Sequence, residues 1–272
     1  RWTEVADGVR WGRLTGDTED GPLHANVLVV QPGATRLVAA DLRSEVAAGH
    51  SFADVVQARG AVAGVSGGFF LYSEPDIALP SKRFDPVGLL VAKGEVLSPP
   101  LFRRGAILQL ADGTWCIGRL GLEGGRLETS ELSVVLSDIN TPSAMKTHAV
   151  AFTRAWGRQA PKGSGPSMAV VGRRVVEIAP SDRALAIPLN GLVVTFPEGF
   201  PAILKRDDAV AWTLPADERG RQIMEGIAGG PLLLLEGEPH IDMGAEDFLG
   251  SAPPQTFSGD ETGDQNLLPR LA

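Results

Sequence analysis

The chain has 272 residues, a net charge of −8 at pH 7, 43% hydrophobic residues and 21% charged ones. That length buries a core as one large domain or two small ones, and the composition is that of an ordinary globular protein. The acidic balance excludes nucleic acid as the main partner, since no lysine or arginine run is long enough to track a phosphate backbone. No stretch reaches the roughly 18 apolar residues of a transmembrane segment. The single cysteine, Cys116, excludes an internal disulfide and reads as an inert buried thiol within the strand-like run 113–117. No zinc spacing, HExxH, GxSxG, Walker A or strand–GxGxxG–helix pattern occurs, so no cofactor is implied, and no EF-hand spacing supports calcium.

Strand-like runs recur in chain order at 24–31, 35–40, 61–65, 88–91, 106–110, 115–120, 132–136, 149–153, 167–171, 175–179, 191–196, 210–214 and 231–235. Tight turn signals join many of them, including Gln31-Pro32-Gly33, Lys93-Gly94-Glu95, Ala111-Asp112-Gly113 and Glu236-Gly237-Glu238. A helix is expected over Ser51–Arg59, with Ser51 as N-cap, Asp54 at the third position and Gly60 as the stop. A second is expected over Ala216–Met224. Residues 244–266 are rich in Ser, Pro, Gly, Asp and Glu and read as a surface loop. The fold class expected is α+β: residues 1–272 as one domain, built on a long, twisted, mainly antiparallel sheet with few helices.

The most telling stretch is Gly64-Val65-Ser66-Gly67-Gly68-Phe69-Phe70, a glycine pair after an apolar run and before two aromatics. Adjacent glycines cost backbone entropy and pack nothing. They suit a turn needing positive φ or a place where a ligand or a second backbone comes close. A bulge or hairpin corner anchored by the phenylalanines explains them equally well.

Further glycine-marked segments follow in order: Pro86–Gly94, Ile139-Asn140-Thr141-Pro142, Phe152-Thr153-Arg154-Ala155-Trp156-Gly157, Gly229–Gly237 and Pro269-Arg270-Leu271-Ala272. This ordered set resembles the phosphodiester glycosidase family, the uncovering-enzyme-like domains that act on N-acetylglucosamine-1-phosphodiesters and whose bacterial relatives are exopolysaccharide-linked. The resemblance runs over nearly the whole chain, from the expected strand pair 24–41 onward. Ser66 stands where the family has Asn, and Ser143 where it often has arginine. The family's closing Asp-Gly-Gly-Gly-Ser-Ser section would follow Ala272, so the chain is expected to be a C-terminally incomplete member. It starts at Arg1 rather than Met, and processing that removes an export signal is an expectation consistent with a secreted or periplasmic setting.

The resemblance implies hydrolysis of a glycosyl-1-phosphodiester, with a carbohydrate or sugar-phosphate ligand. Such a reaction needs donors for the leaving phosphate and a carboxylate that activates water or steadies an oxocarbenium-like state. Asp138 and Asn140 are the catalytic candidates, on one face if their segment is extended. The alternative for them is an Asx turn at a strand end. Ser66, Gly67, Gly68 and Phe69 are candidates for a phosphate-binding turn. Thr153, Trp156, Gly229, Gly230 and Arg270 complete the proposed substrate-binding set. Trp156 is offered as a sugar platform, although a lone tryptophan more often belongs to a core. Arg270 is offered as a two-pronged phosphate ligand. Asp85 and Asp242, beside proline and glycine corners, read as turn formers. The competing function is a non-catalytic carbohydrate-binding or envelope protein of the same fold, and the residual one an all-β structural domain.

Overall fold

A computed structural model describes residues 2–19, 21–71, 84–201, 203, 205–217, 219–246 and 248. In chain order the described elements are β1 (Trp2–Ala6), β2 (Val9–Thr18), β3 (Gly21–Val30), α1 (Arg43–Ala47), α2 (Phe52–Ala58), β4 (Phe69–Leu71), β5 (Asp85–Val87), β6 (Leu90–Ala92), β7 (Glu95–Ser98), β8 (Gly105–Leu110), β9 (Trp115–Arg119), β10 (Gly125–Glu128) and β11 (Ser133–Leu136). They continue as β12 (Asp138–Ile139), a 3-10 turn (Pro142–Lys146), β13 (Val150–Phe152), β14 (Ser167–Val171), β15 (Arg174–Ala179), β16 (Gly191–Thr195), β17 (Ala211–Thr213), β18 (Ile223–Ala228), β19 (Leu234–Leu235) and β20 (Glu238–Pro239). The architecture is mostly antiparallel β with few helices. The one parallel pairing among the described strands is β12 with β13.

The chain divides into two compact units, residues 1–38 with 48–65, and residues 39–47 with 66–272. The first unit holds an antiparallel meander, β1-β2-β3, whose β2–β3 register runs from Val9↔Val30 to Thr18↔Gly21. It also holds α2, which begins as the sequence indicates. The Ser51 hydroxyl accepts from the Asp54 N–H while the Asp54 carboxylate accepts from the Ser51 N–H, a complete capping box.

The second unit carries two five-stranded sheets, β7-β6-β18-β8-β9 and β12-β13-β16-β14-β15, with a three-stranded sheet β11-β10-β17 and the short pairs β4-β5 and β19-β20. Its strands are thus shared among several sheets, where one long sheet was expected. Every residue of β14 and β16 is buried. Alternation then sends Ala151, Met168, Val170, Leu192 and Val194 into one apolar cluster with Val91, Leu127 and Phe196. Their neighbours Val150, Phe152, Ala169, Val171 and Val193 enter a second cluster with Met145 and Ile187. A sheet covered on both faces explains why these strands read as unbroken apolar runs. Each large side chain so buried contributes roughly 1.5–3 kcal/mol.

Three expected elements are absent. Residues 35–40 form no strand; the chain turns at Gln31, whose carbonyl accepts from the Ala34 N–H, and the Ala39 N–H is met by Glu225 rather than by a ladder. Residues 61–65 are irregular with Val62 and Val65 exposed, and the strand begins after the glycine pair, at Phe69. The helix expected over 216–224 is replaced by a turn and the start of β18. There Asp217 Oδ1 accepts from the backbone N–H groups of Arg219 and Arg221 at 3.0 and 2.7 Å. A short carboxylate that bonds nearby N–H groups offers the backbone an alternative to helix.

Arg221 extends that turn into a clasp, with Nη1 2.8 Å from Asp112 and Nη2 2.7 Å from Asp217. Hydrogen bonds from the Arg221 guanidinium, then from the Thr114 N–H, hold the Asp112 carboxyl far below its usual value. Arg221 side-chain and backbone donors do the same to Asp217. Carboxyls depressed on folding add stability above their unfolded pKa, near 3.8, and lose it as pH falls through the lower folded values. Arg221→Gln should therefore melt below the wild type at pH 7 and converge with it toward pH 2. Equal melting gaps at both pH values would disprove the clasp's contribution.

Candidate functional site

Two of the resemblance's segments meet at Asn140. The parallel register places Asp138 beside Val150 and Ile139 beside Ala151. The ladder ends with the Asn140 N–H donating to the Ala151 carbonyl at 2.8 Å. Asn140 then turns into the left-handed region, φ 54°, which Asn tolerates better than most residues. The extended alternation expected to carry Asp138 and Asn140 on one face therefore stops at Ile139. In its place the Asn140 amide is committed at both ends. Its Nδ2 donates to Thr153 Oγ1 at 3.0 Å, and its Oδ1 accepts from the Thr153 N–H at 2.9 Å. The Thr141 hydroxyl donates to the Ile139 carbonyl, and Pro142 opens the 3-10 turn, so the corner is fixed from both sides.

Thr153 is buried. Its carbonyl accepts from the Trp156 N–H at 2.9 Å, which sets the position of the indole. Trp156 is 41% exposed and meets Phe152 edge-on, ring centroids 5.5 Å apart. It is thus an exposed ring on a buried aromatic footing, where the composition alone favours a core residue. Asp138 is half-buried and accepts from the Ser137 hydroxyl at 3.3 Å. The group offers a carboxylate, an amide-locked corner and an aromatic face, which are means to orient a sugar hydroxyl, hold a water and stack a ring.

The two glycine pairs meet in a second place. Gly68 has φ 72°, and a Cβ there would lie 3.2 Å from the Ala228 carbonyl. The Gly229 N–H donates to the Gly105 carbonyl at 2.8 Å. Gly230 has φ 105°, and a Cβ there would lie 2.8 Å from Glu246 Oε2. A second backbone crowds Gly68, and the Glu246 and Phe248 side chains crowd Gly230, each at a positive φ that suits glycine. Ser66 is exposed and Gly67 half-buried. Phe69 meets Phe248 in a T-shaped contact at 6.3 Å. The run 231–235, expected as a strong apolar strand, forms only the two-residue β19, and Leu233, Leu234 and Leu235 face solvent.

Sequence reasoning missed Arg104 and Glu246, both at this corner and both buried. The Arg104 guanidinium lies 4.1, 4.9 and 5.1 Å from the ring centres of Phe248, Phe102 and Phe69. A crevice beside it, lined by Gly88, Phe102, Arg104 and Ala228 among others, is too narrow for a water molecule. Glu246 is the third residue of the run 244–266 that reads as a surface loop, so no compositional signal marks it. Missed as well is the Asp41–Arg43–Asp85 cluster: Arg43 Nη2 lies 2.6 Å from Asp41, and Nη1 3.1 Å from Asp85. Asp85 is thus a buried ion-pair member of β5, not a turn former. Burial opposes the charge on Asp41, yet the Arg43 hydrogen bonds outweigh it and hold the carboxyl below its usual range. Asp242 does form a turn, accepting from the Ala245 N–H.

The Asn140 group and the glycine corner belong to different sheets. Arg270 and residues 249–266 of the expected loop lie outside the described residues. Among the described residues no group of three or more His, Cys, Asp or Glu side chains is placed to hold a metal ion. No described helix is long and apolar enough to cross a membrane.

No protein-family model matches the chain, and no curated protein does. Solved structures similar to it include the following two. One is a hypothetical protein from Synechocystis, at 18% identity and a TM-score of 0.44, covering 90% of this chain and 46% of the other. The second, from Burkholderia pseudomallei K96243, is described as a "putative exported protein", at 17% identity and a TM-score of 0.37, covering 89% and 56%. The chain spans about half the length of these proteins.

Proposed function

We propose that this chain is a phosphodiester-glycosidase-like domain that hydrolyses a glycosyl-1-phosphodiester on a carbohydrate. The observation that carries the reading is the reciprocal Asn140–Thr153 bonding, which ties the Ile-Asn-Thr-Pro segment to the Phe-Thr-Arg-Ala-Trp-Gly segment. Two motifs read separately in the sequence, 139–142 and 152–157, are tied together at Asn140 and Thr153, with Asp138 two residues before Asn140 and Trp156 three after Thr153. In this reading Asp138 activates water or steadies the developing cation, Asn140 and Thr153 hold the corner, and Trp156 stacks on the sugar. The turn at Ser66-Gly67-Gly68 supplies backbone N–H groups toward phosphate, with Arg270 as the cation, while the Gly229 N–H is already spent on the Gly105 carbonyl. A secreted or periplasmic setting goes with it, as the exopolysaccharide-linked relatives imply.

Sugar release from a panel of glycosyl-1-phosphodiesters, against a heat-inactivated control, tests the reading. Turnover that falls at least about 100-fold in Asp138→Asn is expected for a carboxylate acting on the reacting atoms. Undiminished turnover in that variant would remove Asp138 from the chemistry. The exposed Ser66, in place of the family's Asn, favours a second reading: a carbohydrate-binding protein without turnover. Glycan binding lost in Trp156→Ala, with no sugar release from any member of the panel, is its signature.

A further inference from the structure

Glu246 is fully buried, yet its carboxylate meets two backbone donors and one arginine. Its Oε2 accepts from the Gly105 N–H at 2.7 Å, and its Oε1 from the Leu232 N–H at 2.7 Å. Arg119 Nη2 stands 3.4 Å from Oε1. The Nε of Arg119 is buried and has no hydrogen-bond partner among the described residues. Convergent N–H groups with a guanidinium form an anion-binding concavity, and here an acidic side chain of the same chain fills it.

The concavity has a topological origin. Gly229 donates to the Gly105 carbonyl, and the chain then leaves the ladder at Gly230-Pro231. That departure strips Gly105 of the ladder acceptor its N–H would otherwise meet. The missing acceptor returns sixteen residues after Gly230, as Glu246. Residues 231–246 form a strap that leaves the ladder after Gly230 and is tied back to Gly105 and Leu232 through Glu246. The strap's own pairing is two residues long, Leu234↔Pro239 and Leu235↔Glu238. Leu233, Leu234, Leu235 and Ile241 are exposed, so little apolar burial holds the strap apart from Leu232. A segment with few buried apolar contacts opens at lower free energy than the core around it.

We propose that the Gly105–Leu232–Arg119 concavity is an anion site for a phosphate-class ligand, and that Glu246 is its internal occupant, a strap-borne carboxylate that ligand displaces. The inference is independent of the hydrolase reading, because the donors exist whatever reaction the domain performs. Tethering keeps the carboxylate at high effective concentration, so a free anion competes only when the strap opens. Its apparent affinity falls by the fraction of closed strap, and removal of the carboxylate restores it.

The probe is inorganic phosphate, titrated calorimetrically into the full chain, and no sugar release is read. Glu246→Ala is expected to bind phosphate at least about 10-fold more tightly than the wild type. Adding Arg119→Gln should remove that gain. A folded Glu246→Ala that binds phosphate no better than the wild type overturns the proposal. Hydrogen exchange on the wild type covers the case of a variant that does not fold. Rising phosphate should speed exchange in residues 231–246 while the Gly105 amide stays protected. Unchanged exchange across the strap overturns the proposal equally.

Discussion

Gly191→Ala is expected to lower stability by about 3 kcal/mol or more, the upper range for overpacking a well-filled interior. Gly191 opens β16, the strand between β13 and β14, and pairs with Val171. A Cβ there would stand 2.1 Å from the Val170 carbonyl and 2.8 Å from the Pro188 side chain. The first neighbour is backbone of the adjacent strand, which cannot swing aside as a side-chain tip does. Relief requires β14 and β16 to part, and residues of both strands fill the two apolar clusters at once. For a chain of this size the loss corresponds to a fall in melting temperature of roughly 5 °C or more. Gly118→Ala is the matched comparison. It too is a strand glycine, in β9, but nothing lies within 4 Å of its added methyl. That variant should melt at or slightly above the wild type, since it only narrows the unfolded ensemble. Equal losses at the two positions would show that the Gly191 contact relaxes freely.

Asn140→Ala should remove sugar-releasing activity, by about 100-fold or more if a misplaced site behaves as misaligned ones generally do. It should also cost roughly 2–3 kcal/mol of stability. Two causes add: alanine at φ 54° is strained, and the buried Thr153 N–H and hydroxyl lose their partners together. Asn140→Gly separates them. Glycine accepts the backbone conformation without strain, so its stability should sit between those of wild type and Asn140→Ala, while activity stays as low as in the alanine variant. Activity retained in Asn140→Gly would mean that the corner's backbone, and not the amide lock, positions Asp138 and Trp156. Denaturant unfolding and initial-rate assays on the same preparations read both quantities.

The α2 helix shows what local chemistry settles. Its cap, its third-position carboxylate and its glycine stop are all within ten residues, and each works through bonds between near neighbours. Runs such as 167–171 and 191–196 were equally legible, because continuous apolar sequence has few outcomes besides burial on both faces. The same logic failed at 231–235, where an equally apolar run lies exposed in a two-residue strand. Apolar content cannot say whether a covering layer exists. At 216–224 a helical pattern lost to one aspartate, whose carboxylate served nearby N–H groups and then Arg221.

The candidate site divides along the same line. The residue types and their order, Asn140, Thr153, Trp156 and the two glycine pairs, are written in the sequence. Their partnerships are not: Asn140 reaches Thr153 only because β12 and β13 run parallel in a set register, and Gly68 nears Ala228 only through strand pairing. Arg104 and Glu246 carried no sequence signal, since burial of a charge is decided by what surrounds it after folding. Local bonding and summed polarity, readable in the chain alone, account for the β-rich character with few helices, the turns, the capped helix and the acidic charge. The tertiary structure alone decided how the strands divide among sheets, which glycines are indispensable, and that a loop glutamate closes the end of a ladder. Those outcomes depend on contacts between residues far apart in the chain, and each is fixed by the space and donors that the distant strand presents.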